Sequence, residues 1–475
     1  MVKTSVFIAF MQLAISAFAQ NTIFPISGRV VDEKGNGVEN VVVNDGVSFV
    51  KTDNTGAWHF ITDTTLCKFV SISTPAAYEL PHQNGLALFY KPMREVVKNE
   101  DNTFVLTRRK KPCTAFSYLA ISDPQVLNEE EMNRWRNETV KDMRHVADSL
   151  KKHREVIGMT LGDLVFDNMG LYSDYAGSCE SLGITMFQTI GNHDFDKQYQ
   201  DLHNMRLGTP VYGEHFYNSY FGPTDYSFNI GNVHVITMKN INYVGHRKYL
   251  EAVTDQQLAW LEKDLRYVPK GSVVFVNMHA AGWNKVSNDG NFRAAKDVEH
   301  LLKDYDVHFF CGHTHFFQNI EVTPTLYQHN ISAACGSWWA GDYSVCGAPN
   351  GYLVVDVNGN DVRWHFKPTK GSFSDQFRTY LPGQFRSQPA TVVANVWDYD
   401  THCKVEYYED GQYKGAMEEF VDTDDAYLVQ QITLGKKGTT QTGHLFRFKP
   451  ATGTKQIKIV FTNRFGEEYS QSYKL

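Results

Sequence analysis

Five short clusters of metal-binding residue types follow apolar runs in the middle of the chain. Asp123 ends the run YLAIS, Asp163 ends VIGMTLG and Asn192 follows ITMFQTIG. His279 and the histidines of GHTH at 312–315 follow two further apolar runs. Carboxylate, amide and imidazole ligands without a thiolate suit Mn, Fe or Zn and do not choose among them. Because the clusters recur in order, each after a predicted strand, they favour a metal site over unrelated structural residues.

A metal site of this kind could serve the chemistry of a pair of divalent cations. Two divalent ions about 3.5–4 Å apart clamp a phosphate and generate the hydroxide that attacks it. Such a pair needs one bridging carboxylate, and Asp163 fits because it is central in the set. The chain has neither a G-x-S-x-G elbow nor a GxxxxGK[ST] loop. A serine hydrolase and a P-loop enzyme are therefore disfavoured.

The segment that must position these clusters alternates strands with helices. Apolar runs of about five to seven residues predict strands, and apolar residues at three- and four-residue spacing predict a helix between the first two. Thr254 and Gln257 predict a capping box that starts a helix, and another helix is predicted from near Arg293. Ligands bind at the carboxyl ends of strands in α/β sheets. We therefore expect an α/β layered domain over 112–370 that brings the clusters together.

The regions on either side have a β-rich pattern. SGRVVDEKGNGVENVVVNDG alternates valine with polar residues around glycine-rich turns, and it resembles carboxypeptidase-regulatory-like β-sandwiches. ATVVANVWDYD and KQIKIVFTNRFGEEY predict strands near the C terminus. We therefore expect two small all-β sandwich domains, at 20–108 and 375–475.

Composition and the N-terminal residues limit the number of domains, the partners and the cellular location that we expect. At 475 residues two or three domains are expected, and the net charge of −7 without a large basic block disfavours nucleic acid and anionic membranes as partners. MVKTSVFIAFMQLAISAFAQ predicts a signal peptide over 1–19 and is too short for a membrane span. We therefore expect a periplasmic or secreted protein. The seven cysteines contain no CxxC pair, and a bridge between Cys335 and Cys346 is one option left open.

The ordered motifs D-x-Q, GD, GNHD, H and GHTH resemble those of the calcineurin-like metallophosphoesterases. The likeness covers roughly 115–368, and GNHD and GHTH are its most specific blocks. The flanking modules and ISAACGSWWAGD resemble the exported bacterial branch that has a β-domain on either side. The resemblance implies a β-sandwich core flanked by helices and two divalent ions (Mn, Fe or Zn). It also implies hydrolysis of a small phosphorylated substrate by attack of metal-bound hydroxide.

The resemblance also implies a role for each matching residue. The first metal would take Asp123, Gln125, Asp163 and His315. The second metal would take Asp163, Asn192, His279 and His313. His193, inside GNHD, would donate a proton to the leaving oxygen, with Asp167 as its acidic partner and Asp194 as a competitor. Histidine usually stands in place of Gln125, and because an amide is a weaker ligand for Zn or Fe(II), the first position is expected to be weaker or to prefer a harder metal.

Substrate contacts and the exact activity stay open. Trp338 and Trp339 either form an apolar wall for a leaving group or pack at a domain interface. Further candidate contacts are Asn284, Lys285, Arg293 and Tyr343. The leading hypothesis is a phosphoesterase with its mono- or diester preference undecided. The alternatives are a phosphodiesterase or pyrophosphatase for nucleotide-like or lipid head-group substrates, and a non-catalytic glycan- or surface-binding protein with an inert core. The partners of the β-domains are undefined.

Overall fold

The computed structural model describes residues 22–99, 102–197, 213–284, 291–435 and 439–475. The predicted signal peptide and Lys285 lie outside these ranges. Within them, no helix combines the length and apolar character that crossing a membrane requires. All seven cysteines are free thiols, so the bridge between Cys335 and Cys346 that the sequence left open does not form.

Two mixed sheets packed face to face form the centre of the molecule. The seven-stranded sheet has the order Asp361–Pro368, Gly351–Asn358, Ala115–Ile121, Glu155–Leu161, Thr185–Thr189, Leu86–Ala87, His82–Gln83. The six-stranded sheet has the order Tyr226–Ile230, Val233–Thr237, Val273–Asn277, Asp306–Cys311, Leu326–Asn330, Gln318–Thr323. The rings of Tyr118 and Phe275, one from each sheet, lie 5.4 Å apart, and the Tyr118 hydroxyl donates to Asn277. The sheets therefore share one buried apolar layer, and the predicted α/β layered core is confirmed.

Helices cover the outer faces of both sheets. Over the first sheet lie Glu129–Arg134, a π-helical turn at Trp135–Val140, Lys141–Leu150, the 3₁₀ turn Met169–Leu171 and Tyr172–Leu182. Over the second lie Asp255–Leu265 and Ala295–Leu302, and the core also contains helix His215–Phe221 and the strand pair Ile241–Gly245 and Lys248–Glu251. The predicted capping box is confirmed, because Gln257 N donates to Thr254 Oγ1 at 3.3 Å and Thr254 N donates to Gln257 Oε1 at 3.0 Å. The second predicted helix begins two residues after Arg293.

The N-terminal β-domain is joined to the core through a shared sheet. Most strands of this domain form two sheets of their own. One has three strands (Ala57–Asp63, Ile23–Asp32, Phe104–Leu106) and the other has four (Phe49–Lys51, Val42–Asn44, Phe69–Ser73, Tyr90–Pro92). The short helix Met93–Val96 follows the last strand of the four-stranded sheet. Its hairpin of residues 82–87 extends the seven-stranded core sheet, where Leu86 pairs in parallel with Met186. The N-terminal domain therefore contributes two short strands to the core sheet.

The C-terminal domain is a β-sandwich with one helix. Its two sheets have the orders Phe377–Tyr380, Val392–Val396, Thr442–Phe448, Glu418–Asp422 and Gln412–Ala416, Lys404–Glu409, Gln456–Thr462, Glu468–Lys474. The sequence did not predict the helix Asp425–Thr433. Its N-cap is Asp424, whose carboxylate accepts from the backbone of Ala426 at 2.8 Å.

Candidate metal centre

Every predicted ligand lies just beyond the carboxyl end of a core strand. Asp123, Asp163 and Asn192 follow three neighbouring parallel strands of the seven-stranded sheet. His279 and His313 follow two neighbouring parallel strands of the six-stranded sheet. Parallel neighbours end at the same edge, so the strand order brings side chains from distant parts of the chain to one place.

Three side chains converge around the nitrogen Nε2 of His279. This atom lies 3.1 Å from Asn192 Oδ1, 3.1 Å from His313 Nδ1 and 3.4 Å from Asp163 Oδ2. The ligand atoms of Asp163, His279 and His313 all lie within 4.8 Å of one another. An amide oxygen, a carboxylate and two imidazoles at this spacing make a donor set that fits one divalent cation.

A second pair of ligand groups lies on the other side of the centre. His315 Nε2 is 3.4 Å from Asp123 Oδ1. That oxygen is fully buried and makes no hydrogen bond to any residue in the described part of the chain. Buried polar atoms are nearly always satisfied, and a cation between Asp123 and His315 would satisfy this one. The residues therefore fit two cations.

Hydrogen bonds hold each ligand imidazole in one tautomer. His279 Nδ1 donates to the Leu161 carbonyl at 2.7 Å, and His315 Nδ1 donates to the Gly336 carbonyl at 3.0 Å. In both rings Nε2 is left as the ligand atom. His313 is turned the other way, since its Nε2 lies 3.1 Å from Glu251 Oε1. Such partners orient metal ligands and raise their basicity.

Glu251 is a functional residue that the sequence did not reveal. It ends the short strand Lys248–Glu251, and the motif KYLE carries no local signal of a metal site. The pKa of Glu251 is held below its usual value, mainly because its carboxylate accepts the hydrogen bond from His313.

The carboxylate of Asp163 is central in the structure as well as in the motif order. Its Oδ1 accepts from the backbone N–H of His193 at 2.8 Å. Burial disfavours its ionised form, but the charge of His279 outweighs burial and holds the pKa of Asp163 far below its usual value. Burial likewise lowers the pKa of His279, and Asp163 overcomes it and raises that pKa to about 9. Asp163 is thus a buried anion that would be a ligand for a divalent cation held beside His279 and His313.

The amide nitrogen of Gln125, and not its amide oxygen, points toward Asp163. Its Nε2 donates to Asp163 Oδ2 at 2.6 Å, and its backbone N–H donates to the Asp163 carbonyl at 2.8 Å. Its Oε1 lies 3.9 Å from the thiol of Cys335. In this arrangement Gln125 holds the bridging carboxylate, and it would coordinate a cation only after its amide turns over.

His193 lies at the edge of the centre with an acidic partner. Its Nδ1 donates to Asp167 Oδ1 at 2.9 Å, and the Phe166 ring stacks on it at 4.0 Å. Lys197, which the sequence did not single out, also donates to Asp167. Burial raises the pKa of Asp167, but His193 and Lys197 together hold it below its usual value.

Asp194, the competing partner, faces away from His193. Its buried carboxylate accepts from the backbone N–H groups of Gly191 at 2.9 Å and Leu164 at 3.0 Å. Burial raises the pKa of Asp194 to about 7. Asp194 ties the two ligand loops together, and Asp167 is the carboxylate beside His193.

The ligand loops are held in strained backbone conformations. Left-handed φ angles of +42° to +68° occur at Asp123, Gln125, Asp163, Asp167, His313 and His315. Each such residue costs on the order of 1–3 kcal/mol, and this kind of strain concentrates at functional sites. The strain turns the side chains of consecutive residues toward one point beyond the sheet edge.

Two motif glycines are required by close packing. Gly162 has φ +87°, and a Cβ there would lie 2.5 Å from His279 Nδ1. A Cβ on Gly312 would lie 1.5 Å from Ser122 Oγ and 2.5 Å from Asp123 Oδ2. The glycine of GD and the glycine of GHTH therefore leave room for the ligands of neighbouring strands.

The predicted substrate residues do not all lie at the metal centre. Trp338 is 41% exposed, and its ring lies 4.9 Å from that of His315, so it lines the centre. Trp339 is buried and donates from its indole to the Pro124 carbonyl at 2.9 Å. Asn284 is half-buried at the end of its described segment. Arg293 donates its backbone N–H to the Glu251 carbonyl at 2.8 Å and lines a cavity of about 830 Å³ shared with the N-terminal domain.

Three family models match successive parts of the chain. Residues 116–317 match the model described as calcineurin-like phosphoesterase. Residues 24–109 match the N-terminal model of calcineurin-like phosphoesterase, and residues 328–469 match the C-terminal one. Comparison with curated protein sequences finds no match.

Several solved structures are similar in part. A dimetal phosphatase from Danio rerio is 12% identical, with 54% of this chain and 96% of that chain covered and a TM-score of 0.35. GAP50, the anchor in the inner membrane complex of Plasmodium, is 13% identical, with 55% and 86% covered and a TM-score of 0.37. Purple acid phosphatase PPD1 from yellow lupin is 10% identical, with 74% and 68% covered and a TM-score of 0.38.

Proposed function

We propose that this chain hydrolyses a small phosphate ester at the centre around Asp163. It is a metal-dependent phosphoric ester hydrolase with the N-terminal, core and C-terminal domains of calcineurin-like phosphoesterase. The observation that carries this proposal is the convergence of Asp163, Asn192, His279 and His313 within coordination range of one another. Bound divalent cations supply Lewis-acid chemistry to the phosphate and to water.

The protein's own residues handle the proton and the leaving group. Because His193 Nδ1 is bound to Asp167, its Nε2 is the nitrogen left to face a substrate. The hydrogen bond to Asp167 orients the imidazole, and an imidazole held in one orientation suits proton donation to a departing oxygen. Trp338 beside His315 offers an exposed ring against which the organic part of the ester packs.

The metal requirement and the ester preference are tested together. Protein stripped with a chelator is reloaded with Mn, Zn or Fe(II) and assayed on p-nitrophenyl phosphate and bis-p-nitrophenyl phosphate, with elemental analysis of each sample. For the unchanged protein we expect two ions per chain and metal-dependent turnover of at least one ester. The Asp163→Asn variant should lose bound metal and activity together. The ratio of the two rates decides between a monoesterase and a diesterase.

The non-catalytic alternative makes the opposite prediction. Metal-loaded protein that hydrolyses neither ester, while retaining two bound ions and a cooperative melting transition, would overturn the hydrolase proposal. The Asp361→Asn variant, which changes an exposed carboxylate outside the centre, serves as the control.

We further propose that the protein is exported after cleavage of residues 1–19. The lysine, apolar run and Ala-x-Ala pattern of that segment support the proposal. N-terminal sequencing of the protein made in its source cells should begin at Gln20. An N terminus at Met1 in a cytosolic fraction would refute it.

A further inference from the structure

The loop of residues 331–350, which connects a strand of one core sheet to a strand of the other, lies against the first metal position. The backbone N–H of Cys335 donates to the Asp123 carbonyl at 3.2 Å. The backbone N–H of Val345 donates to the His315 carbonyl at 3.2 Å, and the ring of His315 donates to a loop carbonyl at 3.0 Å. The loop therefore contacts both ligands that the first position takes on its own.

The loop has a backbone conformation that needs support from its surroundings. Trp338 and Trp339 have left-handed φ angles of +51° and +57°. Bulky residues rarely adopt this conformation, and it persists only where neighbouring groups hold it. Arg134 supports one side, because its guanidinium donates to the Trp339 carbonyl at 2.7 Å and to Asp342 Oδ1 at 3.0 Å. The place of Trp338 beside His315 thus depends on contacts from outside the loop.

The C-terminal domain binds the other side of the loop, over residues 343–347. Arg378 donates to the Gly347 carbonyl at 2.9 Å, and its guanidinium lies 4.2 Å from the centre of the Tyr343 ring. Asn395 donates from its side-chain amide to the Cys346 carbonyl at 3.0 Å. Two hydrogen bonds and one cation–π contact therefore join the loop to the C-terminal domain.

Asp424 connects the groups that make these contacts. Its carboxylate is fully buried, accepts from Asn395 Nδ2 and the Tyr380 hydroxyl, both at 2.8 Å, and lies 3.4 Å from Arg378. Gly347 packs directly on it, with φ +81°, and a Cβ there would lie 2.3 Å from Asp424 Cγ. A buried carboxylate with these partners does not move aside easily, so the contact at Gly347 leaves no room for a side chain.

We propose that the C-terminal domain is a positioning element of the metal centre. Through Arg378, Asn395 and Asp424 it holds one part of the 331–350 loop, and the rest of the loop orients His315. The inference rests on the metal centre of the proposed function but not on hydrolysis. A looser contact between the domains should weaken the first metal position more than the second, because the loop binds ligands of the first.

Gly347→Ala in the full-length protein loosens this contact without changing a metal ligand. Gly383→Ala is the matched control, because Gly383 also has a left-handed backbone, with φ +87°, but nothing lies within 4 Å of its Cβ. Hydrogen–deuterium exchange on metal-stripped protein measures the effect on the backbone. We expect exchange to be faster by about tenfold over 331–350 and over 312–317 in Gly347→Ala, and unchanged in the control.

Titration of the same stripped proteins with Mn or Zn measures the effect on the metal centre. Loss of groups that orient a ligand typically lowers metal affinity by about 10–100-fold. In Gly347→Ala we expect one of the two ions to bind about tenfold more weakly and the other to bind as in the unchanged protein. The control should bind both ions normally.

Arg378→Met tests the same contact by removing a donor instead of adding bulk. Its control is Arg447→Met, because Arg447 also forms an ion pair and lies over a ring in the C-terminal domain, with Glu418 at 2.7 Å and the Phe420 ring at 5.0 Å. Arg378→Met should reproduce both effects of Gly347→Ala, and Arg447→Met should show neither. Melting curves identify which variants are folded, so the proposal stays testable if one glycine variant is not.

Three results with folded variants would overturn the proposal. The first is faster exchange in the loop without any change over 312–317, because the loop would then not hold His315. The second is unchanged affinity for both ions. The third is equal weakening of both ions, which would indicate a general loss of structure. These results do not depend on turnover, so a failure of the hydrolase proposal, seen as metal-loaded protein without activity, is distinguishable from them.

Discussion

His313 and Glu251 form a hydrogen bond of 3.1 Å on the side of the imidazole opposite to the nitrogen that faces His279. The bond places a proton on Nε2 and leaves Nδ1 free to coordinate. Glu251→Gln keeps an acceptor but loses its charge, and we expect a 10–100-fold loss of affinity at one of the two metal positions. Metal titration measures the loss. The exposed Glu39→Gln is the control, and equal affinities in the two variants would contradict this role.

Gly312→Ala should abolish metal binding at the first position. The added methyl group overlaps Ser122 Oγ and crowds Asp123 Oδ2, so the GHTH loop must move away from the strand end. Gly177→Ala is a matched control, because nothing lies within 4 Å of its Cβ and it is inside a helix. The control should gain up to about 1 kcal/mol of stability. Elemental analysis and thermal melting distinguish the two outcomes.

Gln125→His should change which metal is preferred. An imidazole is a stronger ligand than an amide for Zn or Fe(II), and the change also removes the hydrogen bond from Gln125 Nε2 to Asp163. We expect tighter Zn binding and a lower Mn-to-Zn activity ratio. If metal occupancy and preference both stay unchanged, Gln125 does not contribute to the first metal position.

Asp167→Asn should slow hydrolysis most for esters with poor leaving groups. The carboxylate orients His193, and a positioned general acid contributes about 10²–10⁴-fold when the departing oxygen needs a proton. p-Nitrophenolate leaves without one, so its ester should be affected far less than a simple alkyl phosphate. Metal content should be unchanged. An equal loss on both substrates would point to a structural role for Asp167 instead.

Asp398 should make stability fall as the pH rises. Burial raises its pKa from 3.8 to about 8 in the folded protein. Between these values the folded state holds a proton that the unfolded state has lost, so the free energy of unfolding decreases with increasing pH. The amide of Asn319 donates to Asp398 Oδ1 at 2.7 Å, and the side-chain oxygen in Asp398→Asn can still accept this hydrogen bond. The melting temperature of this variant relative to the unchanged protein should therefore increase from pH 4 to pH 8, and a constant difference would contradict it.

The sequence predicted those parts of the centre that carry local signals. Asp123, Asp163, Asn192, His279, His313 and His315 each follow an apolar run long enough to indicate a strand, and adjacent parallel strands end at one edge. The order of the runs and the content of the motifs were therefore sufficient to expect one site. GNHD also places His193 next to a ligand in the sequence.

The remaining features depend on contacts between distant segments. Glu251 and Lys197 act through His313 and Asp167, and neither lies in a recognisable motif. The orientation of the Gln125 amide depends on which of its two ends meets Asp163, and composition does not determine this. The sequence does not indicate helix Asp425–Thr433, because its capping residue, Asp424, lies between strand patterns on both sides.

The hairpin of residues 82–87 has a consequence for how this protein can be divided. By pairing with Met186 it covers part of a strand edge of the seven-stranded sheet that would otherwise be open. Open edges pair readily with other chains. A shortened protein that begins at residue 112 is therefore expected to self-associate, which light scattering would detect. The N-terminal domain is then expected to prevent aggregation of the core through this sheet edge.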